Sequence, residues 1–211
     1  MVCSQCGGAL EGGDDATVFV CSNCGAAHEL GEEGLVVFPA WTAAMTTELA
    51  VGGPVHYLPF WQEEVTVTAL PDCAWERLRR LTAPQDPHLY VPAFSLRRPV
   101  VQLLGVRLTE MQPFLDLSLG LRPQAAGGQL ELGHPANPFT PVVISRADAR
   151  TLCHFVYLAF EAHKSRELRS VDYDLVPKGE ELVFIPAVWD PRQIHEANWR
   201  VLLREFDDLV A

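Results

Sequence analysis

Two short cysteine pairs constrain this chain more than any other feature. Cys3-x-x-Cys6-Gly7 and Cys21-x-x-Cys24-Gly25 lie near the N-terminus, separated by 14 residues. Each pair places two sulfurs on one tight turn, and the glycine behind it lets the backbone bend so that amide N–H groups can face the sulfurs. Two such turns complete a tetrahedron of thiolates, the coordination Zn²⁺ takes in structural sites. A closed four-sulfur shell leaves no position for water or substrate, so the expected role of one bound Zn²⁺ is to fold the surrounding chain and not to catalyse.

The pattern resembles the zinc-ribbon family, which includes rubredoxin-like and transcription-factor-type ribbons, and the resemblance covers residues 1–38 alone. It implies a small β module built on one metal ion held by Cys3, Cys6, Cys21 and Cys24, of a kind that serves many proteins for docking or nucleic-acid binding. The chain departs from the rubredoxin pattern in its shorter spacing and in lacking proline within Cys21-Ser22-Asn23-Cys24, which favours zinc over iron. His28 stands close enough in sequence to compete as a ligand; with four cysteines at hand it is expected at the surface.

Charge narrows the choice of partner. The net charge is −11, and the first Lys or Arg is Arg77; the eleven acids before it give residues 1–76 the whole −11 and leave the remainder at zero. Residues 1–38 hold six acids and no Lys or Arg, so the module should repel a phosphate backbone, and nucleic acid is an unlikely ligand. Arg77, Arg79, Arg80, Arg97 and Arg98 could form a basic patch, although a solvated face or ion pairing with the acidic part is simpler. No stretch reaches the roughly 18–20 apolar residues of a membrane span. No basic or apolar leader precedes the first cysteines, and six cysteines are too sparse for a disulfide scaffold, so the cytoplasm is the expected compartment.

Along the chain, residues 1–38 read as short strands around the cysteine pairs, residues 39–54 as a linker ending in Gly52-Gly53-Pro54, and residues 55–211 as a mixed α+β domain. In the last, His56–Thr68 alternates like a strand, Ala74–Leu81 reads as an amphipathic helix, and Leu89–Phe94 is extended. Pro99–Leu108 follows as a helix and residues 112–140 as loops with a hairpin arm. Ser145 and Asp148 resemble a capping box for a helix over Ala149–Ala162, with Leu152, Phe155, Leu158 and Ala159 facing the core. Val171–Val176 and Leu182–Val188 are expected to form a hairpin across Pro177-Lys178-Gly179, and Trp199–Leu209 a closing helix. Phe38-Pro39-Ala40-Trp41, Leu58-Pro59-Phe60-Trp61, Val91-Pro92-Ala93-Phe94 and Ile185-Pro186-Ala187-Val188 invite a duplication argument. With 16 prolines and 48% hydrophobic residues, however, chance alone gives about four prolines between apolar neighbours, as many as are present. Two distantly related halves remain open beside prolines at bulges or edges of buried strands.

Catalytic signals are thin. No phosphate loop, dinucleotide fingerprint, nucleophile elbow or HExxH helix occurs. Cys153 and His154 are neighbours, and on a helix they would point about 100° apart, which makes Cys153 a core residue. Cys73 is unpaired in sequence. Glu63 with Glu64, and Asp207 with Asp208, read as solvated charge. Tyr57, Phe60, Trp61 and the tryptophans Trp41, Trp75, Trp189 and Trp199 read mostly as core, with room for a partner-binding surface. The expectation is a non-enzymatic accessory or adaptor protein that docks onto a larger protein assembly. The alternatives are an iron-binding electron-transfer subunit and an enzyme of unrecognised type with its site in the C-terminal domain.

Overall fold

Two long strands, far apart in sequence, form the spine of the molecule in a computed structural model that describes residues 1–31, 34–42, 55–69, 73–83, 86–95, 98–112, 122–123, 139–164 and 173–188. The strands are β1 (Leu10–Glu11), β2 (Val18–Cys21), β3 (Ala26–Gly31), β4 (Gly34–Thr42), β5 (Val55–Thr68), β6 (His88–Pro92), β7 (Arg122–Pro123) and β8 (Asp174–Val188). The helices are α1 (Ala74–Thr82), α2 (Arg98–Met111) and α3 (Arg146–Lys164). The strands make one mixed sheet in the order β1-β2-β3-β4-β8-β5-β6, with β7 beside β4. Only β4 and β8 run parallel among these pairs. The architecture is α+β.

β5 and β8 pair antiparallel from Val55 opposite Val188 to Thr68 opposite Asp174. This overturns the expected hairpin across Pro177-Lys178-Gly179, because β8 runs straight through those residues. The register steps from Glu64–Gly179 to Val65–Pro177, so Lys178 is the extra residue of a bulge. A bulge is also where a strand tolerates a proline without an N–H. Gly179 is not among the glycines of positive φ, as a tight reversal would favour. The tripeptide that reads as a turn bends the strand instead.

On one face of the sheet Trp61, Val65, Leu89, Val91, Leu182 and Phe184 meet Trp75 and Leu78 of α1 and Ala149, Cys153, Val156, Tyr157 and Phe160 of α3. Trp75 stands edge-on to Tyr157 and Phe160, with ring centroids 5.9 and 6.2 Å away. Of the stripe expected to face the core, Leu152 and Ala159 pack against its margin, whereas Phe155 is 52% exposed, so the buried face is turned from the expected one. A polar contact on the same helix requires this rotation. Glu161 is buried, and its two carboxylate oxygens accept the N–H groups of Ala74 and Trp75 at 2.9 and 2.8 Å, satisfying donors that the first turn of α1 leaves open. The Ser145 cap holds: its Oγ accepts from the Asp148 N–H at 3.1 Å and donates to Asp148 Oδ2 at 2.7 Å.

Residues 39–42, expected in the linker, continue β4. Ala40, Trp41 and Thr42 pair with Leu182, Val183 and Phe184. Residues 43–54 lie outside the described residues, as do Trp189 and Trp199–Leu209. Val18, Val20, Ala27 and Ala40 belong to the same buried cluster as Tyr57 and Trp61, so the cysteine-bearing strands share the main core. The four apolar-flanked prolines all sit in strands, Pro39 opposite Ala26, Pro59 opposite Phe184, Pro92 opposite Phe60 and Pro186 opposite Tyr57. Among the described residues no helix is long and apolar enough to cross a membrane.

The far edge of the sheet is closed by side chains. Gln112, just past α2, accepts from the His88 N–H and donates to the His88 carbonyl, both at 2.6 Å, as a neighbouring strand would. Thr109 Oγ1 accepts from the Tyr90 N–H at 3.3 Å. α2 comes this close because residue 105 is glycine: a Cβ there would lie 2.6 Å from the Tyr90 carbonyl oxygen. Satisfied edge groups cannot recruit a foreign strand. Replacing Gln112 by Ala should therefore lower stability by about 1–3 kcal/mol, since two part-buried backbone groups lose their partner. A urea melt would show this as a fall in the transition midpoint with its slope unchanged.

Candidate metal centre

The two cysteine turns fold as near copies. In each, the N–H of the glycine after the pair donates to the carbonyl of the first cysteine: Gly7 to Cys3 at 2.9 Å and Gly25 to Cys21 at 2.8 Å. Both glycines have left-handed backbone, with φ of 75° and 72°, a conformation that a Cβ disfavours. β1 and β2, paired through Leu10–Cys21 and Glu11–Val20, bring the second turn against the first.

All four Sγ atoms then lie within 4.8 Å of one another. Cys3 Sγ is 3.6 Å from Cys24 Sγ, and Cys6 Sγ is 3.5 Å from Cys21 Sγ. A tetrahedral ion with metal–sulfur bonds of about 2.3 Å needs sulfurs about 3.8 Å apart. All four cysteines are free of disulfides. The set is compatible with a metal site, and its surroundings fit one. Gln5 N–H points at Cys3 Sγ and Gly8 N–H at Cys6 Sγ, both at 3.4 Å, and Asn23 Nδ2 donates to Cys6 Sγ at 3.3 Å. Such donors orient thiolates and spread their charge. Gly8 is as constrained as the two turn glycines: a Cβ would fall 2.8 Å from Asn23 Cβ and 3.2 to 3.3 Å from the sulfurs of Cys21 and Cys6.

Cys6, Cys21 and Cys24 differ in proton affinity. Hydrogen bonds from Asn23, then from the Gly8 amide, bring Cys6 down to about 6, while burial pushes Cys24 up to about 12 and raises Cys21 as well. A dication entering this set would displace the remaining protons.

His28 is not at the surface; it is fully buried. Its Nδ1 lies 3.2 Å from the Ala26 carbonyl, which can only accept, so Nδ1 carries the proton in the neutral ring and Nε2 is left to accept from Ser4 Oγ at 3.4 Å. His28 thereby ties the first cysteine turn to β3 without ligating.

The other sequence candidates stand apart from this centre. Cys153 is buried, donates to the Arg150 carbonyl at 3.0 Å and is pushed up to about 12 by burial. His154 contacts the Tyr173 hydroxyl at 3.4 Å. Cys73 caps α1, its Sγ accepting from the Glu76 N–H at 3.5 Å. Arg79 pairs with Glu76 at 3.0 Å. Tyr57, Phe60, Trp61 and Trp75 are core. Asp207, Asp208 and Arg97 lie outside the described residues. Glu63 departs from expectation: Glu64 is exposed, but Glu63 is fully buried. The strand alternation already pointed there, since Trp61, Glu63 and Val65 share a face.

Because Val18, Val20 and Ala27 belong to the common core, stripping metal from the holoprotein with a chelator should not melt the module alone. The expected outcome is one cooperative transition at lower temperature, followed by the fluorescence of Trp61, whose Nε1 donates to the Ile144 carbonyl at 2.8 Å. Two separated transitions would contradict it. Gly8→Ala should weaken metal retention at least tenfold in a competition titration with a chromophoric chelator, about what the loss of an outer-shell support costs. Comparison with known proteins finds no family model, no curated protein and no solved structure that matches this chain.

Proposed function

We propose that this chain is a non-enzymatic adaptor in which a zinc-ribbon module, held by one structural Zn²⁺ on Cys3, Cys6, Cys21 and Cys24, docks onto a larger protein assembly in the cytoplasm. The observation that carries the reading is the closed set of four thiols within 4.8 Å of one another. A shell of that kind uses every coordination position for protein sulfur, which suits a fold-building ion and not a hydrolytic or Lewis-acid one. Cys153, beside His154 in sequence, is buried, and burial pushes its thiol up to about 12.

Docking is supported by the β3–β4 hairpin. Leu30 and Leu35 face each other across it and are 74% and 42% exposed, and Val36, on the opposite face, is 45% exposed. Neighbouring apolar side chains on an exposed tip mark an interaction surface more often than scattered ones do. The acidic character of residues 1–38 directs this surface towards protein and away from nucleic acid.

Elemental analysis with an anaerobic visible spectrum, on protein expressed without added metal, tests the ion. One zinc per chain with no visible band is expected; iron with a reversible redox band would replace the adaptor with an electron carrier. Docking is tested separately by a photo-crosslinking residue at position 35 in the native host. A stoichiometric protein adduct that disappears in the Leu30→Ser variant is expected, and the absence of any adduct would sink the adaptor reading whatever the metal.

A further inference from the structure

Five charged side chains meet where the cysteine-bearing strands join the main sheet. Glu29 comes from β3, Arg146 and Arg150 from the first turns of α3, and Glu180 from β8; Glu63 comes from β5, opposite Glu180 in register. Arg150 grips Glu180 through Nε and Nη2 at 2.8 to 3.0 Å. Arg146 Nε lies 3.2 Å from Glu180 and 3.7 Å from Glu29, and its guanidinium sits 4.2 Å over the Phe38 ring of β4. The Arg146 backbone N–H donates to Glu29 Oε1 at 2.8 Å. One helix end therefore holds the module and the sheet together.

Glu63 is the member without a place in this arrangement. It is fully buried, and neither of its carboxylate oxygens accepts a hydrogen bond. Glu180 of β8 lies opposite it in register, and Arg146, Arg150 and the Cys153 thiol of α3 lie close enough for their charges to act on it. From β6 its register partner is the apolar Leu89. Glu29 acts on the same arginines from β3. With Glu63 neutral, two guanidiniums face two carboxylates; with Glu63 ionised, they face three.

We propose that Glu63 is a proton-operated latch on the joint between the cysteine module and the sheet. Protonated, it leaves Arg146 and Arg150 to Glu29 and Glu180, and the joint is closed. Ionised, it competes for the same two guanidiniums and loosens the tie from Arg146 to Glu29. Burial first, and then the Glu180 carboxylate, raises Glu63 to about 7, with Arg150 and Arg146 offsetting part of the shift. A carboxyl raised in the folded state above its unfolded value of about 4.3 stabilises the fold most at low pH; that contribution fades as pH climbs from about 4 through 7.

The test is a pH titration by NMR of the full-length, zinc-loaded protein with ¹³C-labelled glutamate. The Glu63 carboxyl is expected to titrate within about one unit of pH 7. The Arg146 amide resonance, which reports the bond to Glu29, should move with the same midpoint. In Glu63→Gln the Arg146 step should vanish, whereas Glu64→Gln, altering an exposed neighbour, should leave both midpoints in place. A Glu63 midpoint below about pH 5, or an Arg146 amide that ignores the Glu63 transition, would overturn the latch. If Glu63→Gln does not fold, agreement or disagreement of the two midpoints in the unmodified protein still decides.

Discussion

The pairing of β5 with β8 is the interaction on which the rest of the structure rests. It supplies the surface that α1 and α3 cover, and it offers Leu182–Phe184 as the parallel partner of β4. The closest of its paired residues in sequence, Thr68 and Asp174, are 106 residues apart. Such a contact must meet its loop-closure entropy before any local reward arrives. Its length is what makes the exchange favourable, because a shorter ladder would bury too little of Trp61, Val65, Leu182 and Phe184 to hold the helices in place. Sequence-local propensity builds the strands; their register comes from the core they enclose.

β4 converts this sheet and the cysteine turns into one object. Its first part pairs with β3 and its end with β8, so one strand belongs both to the hairpin beside the cysteine turns and to the main sheet. Val18 and Val20 of β2 are buried in the same cluster as Tyr57, and the Thr17 N–H donates to the Val142 carbonyl just before α3. A ribbon on a flexible tether would gain stability from metal alone. Here an ion held by the four thiols would be reinforced by the hydrophobic core, and the core by the ion, since binding to the native state alone stabilises it.

What was legible in the sequence was local in origin. The cysteine turns, their glycines, the Ser145 cap, the β5 strand and the existence of α1, α2 and α3 all follow from interactions within a few residues. What was not legible depended on partners distant in sequence. Pro177-Lys178-Gly179 satisfies the requirements of a turn and of a bulge equally, and only β5 alongside it selects the bulge. The phase of α3 is set by Glu161 reaching the N-terminus of α1, a contact across 86 residues or more that no helical periodicity contains. His28, expected at the surface because four cysteines already supply the ligands, is buried, since the Ser4 hydroxyl and Ala26 carbonyl that satisfy it come together only once the turn is closed. Glu63 is the instructive miss: its strand was recognised, and alternation alone put it on the core side, yet its charge argued it outward.

That a carboxyl was left there at all says something about the joint. Breaking up a buried ionic cluster and filling the space with apolar side chains is often neutral or stabilising, so the cluster of Glu29, Arg146, Arg150, Glu180 and Glu63 is weak evidence for stability as such. Apolar side chains, however, pack in many relative positions, whereas Arg146 lies against Glu29, Glu180 and the Phe38 ring at once, with its Nε making no hydrogen bond. With Glu63 protonated, the cluster thereby holds the β3–β4 hairpin against the sheet, and with it the direction in which Leu30 and Leu35 point. If the hairpin docks a partner as proposed, a direction set in the free protein leaves less order for binding to supply.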